Sequence, residues 1–217
     1  MPVTIVDNFF DNPDMIRDYG LSLDFEKDPD GRWPGVRTKP LHEINNSLFQ
    51  HICNKILAIY FGHDETSSMR WFAHCAFQKV DKSFKSGWIH TDQPTIFTSI
   101  IYLNKNPNIN SGTSIYKLKN NILVPNIEPN DYKVKAYKGL IPIKDAEEKR
   151  KENNDQYLEV IKVHNEYNRL ISFDAHLPHA AHDFFGDDDE PRFTLNIFFN
   201  ELHTTKTPIQ RVKTSIY

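Results

Sequence analysis

Apolar residues recur at spacings of three or four from Leu41 through Ile44, Leu48, Ile52, Ile56 and Ile59. That period predicts an amphipathic helix over 41–60. Upstream, the β-branched run at 3–6 reads as a strand. Asn12 followed by Pro13 reads as an N-cap with proline at the first helical position, so a helix is expected from 13 through Leu21. Residues 27–40 are rich in Asp, Gly, Pro and Arg, and their Arg32-Trp33-Pro34-Gly35-Val36-Arg37 stretch reads as irregular loop.

The period then changes. Met69, Trp71, Ala73, Cys75 and Phe77 alternate with Arg70, Phe72, His74, Ala76 and Gln78, which predicts a strand. Further strands are expected at 96–103 (IFTSIIYL), 113–116, 169–173 (RLISF) and 192–199 (RFTLNIFF). Between the last two lies an acidic turn at 186–190. Residues 117–163 are Lys-, Asn- and Glu-rich and hold too few apolar positions for a core of their own. They read as a surface excursion with one short helix near 145–151.

Helices first and many strands afterwards predict a mainly β fold with flanking helices (α+β) and a jelly-roll, or double-stranded β-helix, core. Periodicity alone does not give the strand topology. The expected organisation is a single domain over 1–217. Residues 1–66 form the N-terminal strand and helices, 67–200 the core with the 117–163 insert, and 201–217 a C-terminal tail.

Composition narrows the function. The chain has 217 residues, 39% hydrophobic, with 15 Phe, 9 Tyr and 3 Trp, enough to fill one core. The net charge of −3 gives no global basic excess for nucleic acid. No run approaches the roughly 20 apolar residues of a membrane span, and the first residues lack a secretory pattern. Cys53 and Cys75 have no neighbouring cysteine and read as buried thiols in a reducing compartment. The expectation is a cytoplasmic protein.

His90-Thr91-Asp92 carries the chemistry. In an extended segment, residues two apart share a face, so an imidazole and a carboxylate would aim at one point. A further histidine would complete the two-His, one-carboxylate set that leaves positions open on a non-haem Fe(II). The triplet alone is weak, since a chain of this composition holds roughly one H-x-D by chance. The stretch 174–182 offers His176, His179 and His182, which sequence physics barely separates. His164-Asn165-Glu166 is a rival pair, but it lies too close to His179 in the chain to build separate strands. On 192–199 the polar Arg192, Thr194 and Asn196 share one face and Phe193, Leu195, Ile197 and Phe199 the other. A guanidinium there suits a carboxylate, although a solvated strand face is the plain alternative.

The order of these features resembles the 2-oxoglutarate/Fe(II)-dependent oxygenases, especially the prolyl 4-hydroxylase-like branch. The resemblance rests on Trp88-Ile89-His90-Thr91-Asp92, Ile101-Tyr102-Leu103-Asn104, Ser111-Gly112-Thr113, Leu177-Pro178-His179 and Arg192-Phe193-Thr194. It covers mainly 71–200 and favours His179 as the distal ligand. VDNFFDNPDMIRDYG and RWPGVRT are similar to an uncharacterised group of phage and bacterial members, which implies a phage-encoded protein acting in a bacterial host. There are departures. The acidic residue usual before the Gly-Thr turn is absent, the spacing from His179 to Arg192 is long, and so is the insert.

The resemblance implies Fe(II) held by His90, Asp92 and His179. It also implies 2-oxoglutarate anchored by Arg192 with Thr194 and Tyr102, O2 as oxidant, and hydroxylation with release of succinate and CO2. The substrate, a small molecule or a protein side chain, is left open, as is the oligomeric state. Trp33, Arg37 and the insert are candidates for substrate contact. A non-enzymatic cupin-like binding protein and a metal hydrolase using the same three ligands are the rival readings.

Overall fold

The computed structural model describes residues 3–119, 131–186 and 190–205. Part of the expected insert, most of the acidic turn and most of the C-terminal tail lie outside the described residues. In chain order the elements are β1 (Thr4–Val6), α1 (Pro13–Leu21), β2 (Glu26–Lys27), β3 (Val36–Arg37), α2 (Leu41–Ile44), α3 (Asn46–Tyr60), α4 (His63–Ser68) and β4 (Arg70–Val80). There follow β5 (Phe97–Tyr102), β6 (Thr113–Leu118), α5 (Asp131–Tyr137), α6 (Ile143–Asn154), β7 (Tyr157–Val163), β8 (Leu170–Asp174), β9 (His179–Ala181) and β10 (Arg192–His203).

Local chemistry sets the helix starts. The Asn12 side chain accepts from the Met15 amide at 3.2 Å, so α1 begins at the expected cap. The helix expected over 41–60 is broken at Asn45. Its backbone leaves the helical region and its side chain accepts from the Leu48 amide at 3.0 Å. Asparagine offers that amide a local partner in place of a helical carbonyl, and α3 restarts from it.

The strands form a seven-stranded sheet in the order β1-β8-β5-β10-β4-β3-β2 and a three-stranded sheet in the order β7-β6-β9. All pairings are antiparallel. This is the jelly-roll core expected from the strand pattern. On β10, Phe193, Leu195, Ile197 and Phe199 join a core with Phe49, Ile52, Ile56 and Leu57 of α3. Each such side chain, fully buried, contributes about 1.5–3 kcal/mol. Phe97 and Phe199 stack at 4.3 Å between ring centres across neighbouring strands. A smaller cluster joins the two sheets through Tyr102, Ile171 and Phe173 from one and Ile115 and Val163 from the other.

Two segments differ from expectation. Val36 and Arg37, read as loop, pair with Lys79 and Gln78 of β4. A two-residue strand is too short to show a period. Residues 157–163, read as part of the excursion, form β7 and pair with β6. As the edge of the small sheet it leaves Leu158, Val160 and Ile161 exposed, so the in-out alternation that marks a half-buried strand is missing. Among the described residues, no helix is long and apolar enough to cross a membrane.

Candidate metal centre

His90 and His179 are placed by backbone pairing. The His90 amide donates to the His179 carbonyl at 3.1 Å, and the His179 amide donates back at 2.9 Å. The Asp92 amide donates to the Ala175 carbonyl at 2.9 Å. The segment before His90 is clamped by the end of α6. Asn154 accepts from the Ile89 amide at 2.9 Å and donates to the Gly87 carbonyl at 3.0 Å, while Asn153 donates to the Ile89 carbonyl at 3.0 Å.

The side chains converge. His90 Nε2 lies 3.3 Å from Asp92 Oδ1, and His179 Nε2 lies 3.2 Å from Asp92 Oδ2. One ligand atom from each residue falls within 4.8 Å of the others. Each imidazole turns its other nitrogen to a carbonyl two residues earlier: His90 Nδ1 to Trp88 at 2.7 Å and His179 Nδ1 to Leu177 at 2.8 Å. A carbonyl only accepts, so Nδ1 carries the proton and Nε2 of the neutral ring presents a lone pair. Two lone pairs and a carboxylate then face one another at hydrogen-bond distance, an arrangement that calls for a cation between them. Burial, aided by the charge of Lys133, pulls His90 down to about 4. Thr98 Oγ1 donates to Asp92 Oδ2 at 2.7 Å and fixes the carboxylate plane.

The polar face of β10 is buried rather than solvated. Arg192 is 4% exposed, its Nε donates to the Ser111 carbonyl at 2.9 Å, and its guanidinium lies 5.5 Å from the Tyr102 ring centre. Among the described residues no carboxylate pairs with it. Burial lowers its pKa, as expected of a cation short of counter-charge. The Thr194 hydroxyl is buried without a partner, and Tyr102 donates to Thr113 Oγ1 at 2.8 Å. The Ser111–Thr113 turn comes this close because Gly112 has no side chain. A Cβ there would lie 1.8 Å from the Val163 carbonyl oxygen.

A cavity of about 400 Å³ joins the two groups, with His90, Asp92, His179 and Arg192 on its wall. Tyr102 and Thr194 are buried but are not among its lining residues. His176 is exposed, and the half-buried His182 lies 3.8 Å from Glu159, so neither joins the cluster. His164 and Glu166 are exposed. Trp33 and Arg37 line the cavity, as do Gln78, Lys133, Tyr137 and Asn196. Of these last four, only Gln78 fell outside the sequence reading. Asn196 was foreshadowed by its place on the polar face of β10, and Lys133 and Tyr137 by lying in the 117–163 insert.

A jelly roll holding two histidines and an aspartate beside a buried arginine has the fold of the 2-oxoglutarate/Fe(II)-dependent oxygenases. The chain belongs to the family of unknown function DUF6445, which it matches over residues 1–199. No curated protein matches it in sequence. Similar solved structures include HygX from Streptomyces hygroscopicus with nickel and 2-oxoglutarate bound, at 10% identity and TM-score 0.52, covering 91% of this chain and 82% of that one. EvdO2 from Micromonospora carbonacea var. aurantiaca is 12% identical with TM-score 0.52, covering 95% and 89%. The non-heme alpha ketoglutarate dependent epimerase SnoN from nogalamycin biosynthesis is 11% identical with TM-score 0.50, covering 91% and 76%. At these identities the likeness is one of fold.

Proposed function

We propose that this protein is an Fe(II)- and 2-oxoglutarate-dependent oxygenase, with residues 1–217 acting as one such unit. The observation that carries the reading is the pairing of two unmet needs in one cavity. Three acceptors converge on a cation-sized gap, and a buried guanidinium has no carboxylate partner among the described residues.

His90, Asp92 and His179 would hold the metal through Nε2, a carboxylate oxygen and Nε2. When bound, Fe(II) would supply open positions for 2-oxoglutarate and O2, with O2 as the oxidant that hydroxylates a C–H bond and converts 2-oxoglutarate to succinate and CO2. The chain's own part is positional. The Trp88 and Leu177 carbonyls keep the imidazoles in the ligating tautomer, and Thr98 orients the Asp92 carboxylate. Arg192 would take the far carboxylate of 2-oxoglutarate in a dry setting where a charged pair is strong. Thr194 and Tyr102 support that end from behind the wall. The liganded structure of HygX, which carries nickel and 2-oxoglutarate, is consistent with this use of the fold.

The test is anaerobic titration of the purified protein with Fe(II) and then 2-oxoglutarate, followed by absorbance, with O2 admitted and succinate counted. The expected result is a 2-oxoglutarate-dependent visible band and iron-dependent succinate. Absence of iron uptake would leave a cupin-like binding protein. Turnover without O2 would leave a metal hydrolase.

A further inference from the structure

The metal site and Arg192 account for only part of the charge in the cavity. Arg37 enters from β3 and Lys133 from α5, and both line the same cavity as the metal ligands. Among the described residues, the only carboxylate on that wall is Asp92. Arg32, also on the wall, is already neutralised: it donates to Asp28 at 3.0 and 3.1 Å. Arg37 has no such partner among the described residues. One terminal nitrogen donates to the neutral Gln78 Oε1 at 3.1 Å, and its Nε is buried without an acceptor. Its guanidinium lies 4.4 Å from the Trp33 ring centre and 5.4 Å from that of Phe198, so two aromatic rings help hold it in place. Lys133 likewise has no carboxylate partner among the described residues, and the Trp33 indole N–H is buried without an acceptor.

With Fe(II), Asp92, Arg192 and the two carboxylates of 2-oxoglutarate in place, the formal charges of the centre cancel. Arg37 and Lys133 are then left over. Two cations facing one partly dehydrated cavity are costly unless an anion joins them. Their environment carries that cost: burial pulls Arg37 down to about 10, and burial with the charge of Arg37 pulls Lys133 down to about 8. A planar guanidinium offers a two-pronged grip on a carboxylate or phosphate, and an ammonium adds a mobile third point. The cavity's volume of about 400 Å³ is in the range for a small molecule.

Resting on the oxygenase reading for the site as a whole, we propose that the substrate is a small organic acid. Its carboxylate or phosphate seats between Arg37 and Lys133, which leaves its carbon skeleton toward the metal ligands. Arg37 and Lys133 are thus specificity-determining residues, distinct from the Arg192 anchor.

The test is direct binding to the full chain, read from the fluorescence of Trp33 and Trp88, both on the cavity wall. Phenyl phosphate and benzoate are the acid probes and benzamide the neutral control. Each is titrated into metal-free protein in chelator and into protein holding Fe(II) and 2-oxoglutarate without O2. At least one acid should saturate about tenfold tighter than benzamide, and the preferred acid distinguishes phosphate from carboxylate. In protein holding Fe(II) and 2-oxoglutarate, where the co-substrate occupies Arg192, Arg37→Gln and Lys133→Gln should each weaken it by about tenfold or more, and in metal-free protein Arg192→Gln should weaken it less than either. Lys133 is partly buried on a short helix with no fully buried residues, so Lys133→Gln keeps the test open if Arg37→Gln does not fold. Equal binding of benzamide, no saturable response to either acid, or a loss confined to Arg192→Gln would each overturn the proposal. Acid binding to metal-free protein that takes up no iron would instead overturn the oxygenase reading and leave the anion pocket standing.

Discussion

The imidazoles of His90 and His179 sit 4.6 Å apart, ring centre to ring centre, because their main chains exchange hydrogen bonds in both directions. Residues 89 positions apart in sequence are thereby locked as direct neighbours across an antiparallel pair. Asp92 meets them from one side, and the geometry is set by backbone before any metal arrives.

Removing that carboxylate should abolish the centre without unfolding the chain. In Asp92→Ala, Fe(II) affinity is expected to fall by on the order of 10²-fold or more. Succinate formation should drop to the level seen without enzyme. Calorimetric metal titration and circular dichroism check the two halves, and turnover equal to wild type would sink the assignment.

Thr98 lines the cavity and donates to Asp92 Oδ2. Thr98→Val keeps the shape and deletes the hydroxyl, so metal affinity should fall by roughly 10–100-fold. The cost to unfolding free energy should stay near about 1 kcal/mol, the worth of one hydrogen bond. Unchanged metal affinity would remove Thr98 from the centre.

Arg192→Ala separates co-substrate from metal. Loss of a charge-assisted, two-pronged contact costs about 3 kcal/mol, so 2-oxoglutarate affinity should drop roughly 10²-fold. Metal affinity, measured in the same samples without 2-oxoglutarate, should hold. A parallel fall in both would mean that Arg192 supports the fold rather than the co-substrate.

Gly112→Ala places a methyl group 1.8 Å from the Val163 carbonyl oxygen. Backbone must move, at a cost of about 3 kcal/mol in a urea melt. Because Ser111 is next in the chain and accepts from Arg192, weaker 2-oxoglutarate binding should accompany the loss. Stability equal to wild type would show that the turn has room to relax.

Acid stability should report on Asp28. Burial works to raise its carboxyl, but hydrogen bonds from the Arg32 side chain and backbone outweigh that, and its pKa is lowered from 3.8. The folded state therefore holds this proton less tightly than the unfolded chain. Its contribution is complete above pH 3.8 and is lost as pH falls through the lower folded value. Asp28→Asn should cost about 1–2 kcal/mol at pH 7 and flatten the stability profile below pH 3.8. An unchanged acid limb in denaturant melts would refute the assignment.

Much of the site was legible because it is written in short-range pattern. His90 and Asp92 are two residues apart, and Arg192, Thr194 and Asn196 alternate with four apolar residues that fill the main core. Choosing His179 over His176 and His182 needed the resemblance, since all three share one turn-rich stretch and only pairing with His90 sets one apart. Lys133 was marked only as part of the insert, and Thr98 and Gln78 carried no signal, because each acts across strands. The same holds for β7, whose neighbour β6 lies beyond two helices in the chain.

The side chains of Asn153 and Asn154 have a consequence for anyone who would retarget this protein. They end the helix that follows α5, yet they tie down the backbone of Gly87 and Ile89 just ahead of His90. A graft that exchanges the Lys133-bearing segment for a relative's must stop short of these two asparagines. Cut beyond them, the swap would strip three hydrogen bonds from the His90 segment, and an experiment on substrate choice would be read as a failure of iron binding.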